Sequence, residues 1–93
     1  ALADPFLAPF ASAIRSHHER YDGSGYPDRL RGEAIPLTAR IIAVADSFNA
    51  MVGRRPYREA VTAPEALERI KLGAGAQFDP VIVSALDAVL NAR

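Results

Sequence analysis

PLTARIIAVADSFNAMV, Pro36 to Val52, is the stretch on which the fold turns. Leu37, Ile41, Val44, Phe48 and Met51 recur at three- and four-residue intervals, the period of an α-helix with one apolar face. Asp46 and Asn49 fall off that stripe and, three residues apart, share a different face. Ala43, Ala45 and Ala50 around them are small enough to let a neighbouring helix or ligand come near.

Upstream, apolar Leu7, Phe10, Ala11 and Ile14 predict a helix from Pro5 to about Arg20, with Pro5 suited to the opening turn after Asp4. Continuing this stripe reaches His17 and His18, the only histidines of the chain, which extends the buried face at its C-terminal end. Tyr21 to Pro36 contains Gly23, Gly25, Gly32, Pro27 and Pro36, too much punctuation for a continuous helix or strand. Gly53, Arg54, Arg55 and Pro56 end the Pro36 helix and open a basic loop that runs through Arg58. Thr62 and Glu65 have capping-box spacing, with Pro64 in the first turn, so a third helix starts there and stops near Gly73 and Gly75. Asp79 and Pro80 open a fourth helix to about Asn91, with Val81, Ile82, Ala85, Leu86, Val89 and Leu90 on a broad apolar face. No strand or internal repeat is legible. The expected fold is all-α, with about four helices and one long glycine- and proline-rich loop.

The composition agrees with a small folded unit. The 93 residues are 49% hydrophobic and 24% charged, and eleven basic side chains balance eleven acidic ones. A chain this short buries a thin core, and its neutral charge gives no field to draw in nucleic acid or an anionic membrane. The chain has no cysteine, which removes disulfides, thiolate nucleophiles and thiolate zinc sites and fits a cytoplasmic address. ALADPFLAPF is too short to span a membrane and lacks the layout of a signal peptide. The first residue is alanine, which cleavage of an initiator methionine or excision from a longer polypeptide would explain; we expect excision.

Neutral imidazoles are metal ligands. Adjacent helical residues point about 100° apart, so His17 and His18 suit two ions, or one ion and its bound ligand, better than joint chelation of one. Asp46 on the facing helix could bridge. A polar helix terminus and a solvated acid account for the same three residues, and on this evidence alone that plainer reading stands ahead. The loop DGSGYP, Asp22 to Pro27, offers positive-φ glycines, exposed N–H groups and the Tyr26 ring, although a plain interhelical connection needs little more. Arg54, Arg55 and Arg58 could clamp phosphate or simply face solvent.

Taken together, HHERYDGSGYP, IPLTARIIAVADSFNAM, RRPYREA and GAQFDPVIVSAL, in that order and spacing between Ile14 and Leu86, resemble the C-terminal part of the HD-GYP family, a branch of the HD-type metal-dependent phosphohydrolases. The resemblance implies a helical phosphodiesterase of bacterial signalling that opens cyclic di-GMP to the linear dinucleotide or GMP with iron or manganese, dinuclear in the complete domain. By position it makes His17, His18 and Asp46 metal ligands. Arg55 and Arg58 become phosphate-holding residues, and Gly25, Tyr26 and Pro27 the signature lining the substrate side. Glu19 and Asp22 would steady the loop behind the ligands.

This sequence departs from the family pattern in three places. The upstream half, with the His-Asp dipeptide that names the family, has no counterpart before His17. Asn49, on the substrate side, replaces a usual aspartate. Arg29 stands where glycine is common. Two histidines and one aspartate are too few to hold two ions. We therefore expect the chain alone to bind at most one ion weakly, to cleave no diester, and to self-associate or swap through uncovered apolar stripes. The alternative is a degenerate, non-catalytic module that contacts signalling proteins or senses the dinucleotide.

Overall fold

The computed structural model describes residues 8–53 and 59–92. Four α-helices follow one another: α1 (Ala8–Ser16), α2 (Leu37–Val52), α3 (Ala63–Leu72) and α4 (Pro80–Asn91), with a 3-10 turn at Gly32–Ala34 before α2. Among the described residues there is no strand, only an isolated bridge between Ala74 and Phe78, and no helix long and apolar enough to cross a membrane. The all-α expectation holds. Pro5 and Leu7, the expected start of the first helix, lie outside the described residues, as does the Phe10 side chain.

Helix α2 packs on each of the other three. Its Val44 joins Ile70 of α3, Phe78 and Val83 of α4 in the core, with Ala43, Phe48, Met51, Ile82 and Leu86 packed around them. Thr62 caps α3 by accepting from the Glu65 amide at 3.3 Å, and Asp79 caps α4 by accepting from Val81 at 2.8 Å. Between them the chain ties a knot: the Gly73 carbonyl accepts from Ala76, Gln77 and Phe78, and the Phe78 ring lies so close to Gly73 that a Cβ there would meet it at 2.9 Å.

One expectation needs correction. The first helix ends at Ser16, so His17 and His18 sit in a following turn instead of extending the helical stripe. The Glu19 amide closes that turn on the Ser16 carbonyl at 3.0 Å, and the face that α1 buries carries the small side chains Ala13 and Ser16, while Ile14 is exposed. The apolar stripes are only partly covered, as expected. Leu37 and Ile41 at the start of α2, and Val81 and Val89 on α4, are more than 40% exposed, at 53%, 46%, 73% and 64%.

The reason lies one position away from Ile41. Ala39 is 1% exposed, and beside it the Arg40 guanidinium turns inward to Asp79, with Nη1 to Oδ2 at 2.7 Å and side-chain exposures of 15% and 3%. Arg40 Nε also donates to the Ile35 carbonyl at 2.9 Å. A pattern of apolar residues assigns arginine to solvent, but this buried pair rotates the first half of α2 toward the knot and leaves Ile41 on the rim of an apolar groove with Ala45, Ile82, Ala85 and Val89.

Removing one partner of a buried ion pair strands the other charge. Asp79→Ala also deletes the α4 cap, so it should cost about 3–5 kcal/mol in urea unfolding, whereas Asp79→Asn keeps a capping oxygen and should cost less. Equal losses for the two variants would show that the cap adds nothing to the charge pair, and parent-like stability of Asp79→Asn would show that the charge pair contributes nothing.

Candidate metal and phosphodiester site

The loop after α1 is shaped by one buried carboxylate. Glu19 is 5% exposed and accepts from the backbone amides of Asp28 at 2.7 Å and Leu30 at 2.8 Å. On the outer side Arg15 holds the Asp28 side chain with both prongs of its fork, at 2.8 and 2.9 Å. Asp22 folds its own turn by accepting from the Ser24 amide and hydroxyl, while the Tyr21 and Asp22 amides donate to the Gln77 and Ala76 carbonyls of the knot. Arg29 has φ +53°, the left-handed region. The loop thus keeps a conformation suited to glycine even though an arginine occupies the position, at a strain of about 1 kcal/mol.

These ties bring separated residues to one place. A cavity of about 320 Å³ is lined by His17, His18, Glu19, Arg20, Tyr26, Ala43, Asp46, Ser47 and Gln77. The His17 and His18 rings have centroids 3.8 Å apart and tilted by 43°. Tyr26 stacks on His18 at 4.8 Å and 21°. His17 Nδ1 contacts the Ile14 carbonyl. A carbonyl only accepts, so the proton belongs on Nδ1 and the lone pair on Nε2, the arrangement a ligating imidazole needs.

Of the expected residues, the cavity therefore gathers His17, His18, Tyr26 and Asp46, with Glu19 also in its lining. Gly25 is buried behind the pocket: a Cβ there would collide with the Arg20 nitrogen, the His18 carbonyl oxygen and the Glu19 Cα. Pro27, Asp22 and Asn49 are not among the lining residues. Arg55 and Arg58 lie outside the described residues. Sequence reading missed Arg20, Ser47 and Gln77. Ser47 was within reach, since Ala43, Asp46 and Ser47 have the i, i+3, i+4 spacing of one helix face. Gln77 arrives through the knot, which no local pattern foretells.

Two imidazoles and a carboxylate are the donor types that suit divalent iron or manganese. Among the described residues, however, no three such side chains come close enough together to hold an ion. The donors fit in kind and fall short in number and closeness.

A family model described as an HD domain matches residues 2–82. The chain belongs to the HD-domain family. The GYP signature at Gly25, Tyr26 and Pro27, with the cyclic dinucleotide phosphodiesterases among its relatives, places it in the HD-GYP branch of that family. A cyclic di-GMP phosphodiesterase response regulator of Xanthomonas campestris is 61% identical over 81 residues, covering 87% of this chain and 21% of that protein. A cyclic di-GMP phosphodiesterase of Thermotoga maritima is 46% identical over 81 residues, covering 87% and 22%. The crystal structure of a cyclic GMP-AMP specific phosphodiesterase from Vibrio cholerae superposes with a TM-score of 0.78 at 32% identity, over 88% of this chain and 18% of that one. The HD-domain chain described here thus spans about a fifth of the length of the curated relatives it matches.

Glu19→Ala leaves two loop amides without their acceptor and should cost about 2–4 kcal/mol, with loss of the His18–Tyr26 ring-current shifts in proton NMR. Unchanged shifts would exclude Glu19 as the organiser of the loop. The outer clamp responds to acid. The Arg15 hydrogen bond holds the Asp28 carboxyl below its ordinary value of 3.8, so its contribution is complete above that value and is lost as pH falls through the lowered one. Asp28→Asn should abolish the acid transition of the Arg15 Nε–H signal, which donates to the Asp28 carboxylate, below about pH 4; a transition that persists in this variant would assign it to another carboxylate.

Proposed function

We propose that this chain forms one wall of the metal- and phosphate-facing site of a phosphodiesterase acting on a cyclic dinucleotide, with cyclic di-GMP as the substrate. One observation carries the reading: His17, His18 and Tyr26 share a pocket with Asp46 from a different helix. The relatives support it, being phosphodiesterases for cyclic di-GMP or cyclic GMP-AMP. His17, His18 and Asp46 would contribute ligands to a divalent iron or manganese site that needs further donors to complete it, and the ion when bound would supply Lewis-acid activation of water and charge neutralisation at phosphorus. Tyr26, 61% exposed and already stacked on His18, offers a flat face to a guanine. Arg55 and Arg58 extend the phosphate grip along the basic loop. A cytoplasmic address suits a signal carried by a cyclic dinucleotide.

The absence of a three-donor cluster among the described residues favours a second reading, in which the fold is kept for contact with signalling proteins or for sensing the dinucleotide. Calorimetric titration separates the two. On the first reading manganese(II) binds weakly at one site, His17→Ala, His18→Ala or Asp46→Ala each abolishes that binding, and the chain by itself leaves cyclic di-GMP uncleaved. Retention of full metal affinity in all three variants would sink the assignment of these ligands.

A further inference from the structure

A phosphodiester is an anion, and among the described residues that line the pocket Arg20 is the one arginine or lysine. Most described arginines near the site are already committed. Arg15 spends both prongs of its fork on Asp28, and Arg40 divides its donors between Asp79 and the Ile35 carbonyl. Arg31 lies along Gly23, outside the lining of the pocket.

Arg20 differs on each count. It lines the pocket beside His17, His18, Tyr26 and Asp46. Its backbone is held, because the Arg20 carbonyl accepts from Gly23 at 2.9 Å and Gly25 packs so close that a Cβ there would collide with the Arg20 nitrogen. Its side chain is held loosely. Nε stands 3.8 Å from Asp22 Oδ1, with exposures of 41% and 33%, and that same oxygen is already taken by the Ser24 amide at 2.9 Å and hydroxyl at 2.6 Å. An ion pair this long and this exposed contributes little, so a phosphate offering two oxygens to the planar fork would displace it readily.

We propose that the Arg20 guanidinium grips a non-bridging phosphate oxygen of the anionic ligand in this pocket, pivoting from Asp22 on a backbone that the loop holds still. The inference rests on the reading of the pocket as a cyclic dinucleotide site and adds to it a residue that reads charge. The test is titration of the full chain with cyclic di-GMP in manganese(II) buffer across a salt series, with circular dichroism as the folding check. Arg20→Gln should weaken binding about tenfold or more and lower the slope of log K against log salt by about one. Arg20→Lys, which keeps the charge and loses the fork, should fall between, and Arg31→Gln should match the parent. Parent-like affinity and slope in folded Arg20→Gln, or in Arg20→Lys and Arg31→Gln alike, overturns the role of Arg20 while leaving the pocket reading intact. If the parent chain itself binds no cyclic di-GMP, the pocket reading falls and the inference falls with it.

Discussion

The carboxylate of Glu19 is the point from which the site is built. It stands next to His18 in sequence, is buried, and converts the loop between α1 and α2 into a fixed object by accepting from two of its amides. A short polar residue could not reach both Asp28 and Leu30, and an apolar one would leave two buried donors unanswered, which costs more than the bonds themselves contribute. With the loop pinned there, Tyr26 comes to lie flat on His18, and the histidine turn faces Asp46 across the cavity. The chemistry of the pocket is thus downstream of a group that binds nothing but backbone.

Architecture was legible where it rests on local rules. The bounds expected for α2 and α4, and the caps at Thr62 and Asp79, coincide with the structure because capping residues and a long periodic run act within a few positions of one another. The end of α1 was not legible. Apolar spacing continues smoothly into His17 and His18, and what stops the helix is the requirement that Glu19 turn back toward residues nine and eleven positions ahead. Arg40 was invisible for a related reason: its inward orientation depends on Asp79, thirty-nine residues later.

The site divides the same way. The motif residues His17, His18, Tyr26 and Asp46 meet as the family resemblance implies, since the resemblance encodes three-dimensional proximity that periodicity cannot supply. Gly25 belongs to the signature for a different reason from the one expected. It faces backbone, and its value is the space a Cβ would have filled. Arg20 and Gln77 escaped notice because one looks like an ordinary surface charge and the other is brought in by a turn between two distant helices.

That turn, from Gly73 to Phe78, has two clients. Its ring faces the core through Phe78, and its carbonyls at Ala76 and Gln77 hold the Tyr21–Asp22 backbone of the binding loop. Interior and pocket are therefore mechanically in series, with no slack between them. Drift in an interior residue such as Ile70 or Val83 would be transmitted through this hinge to the walls of the pocket.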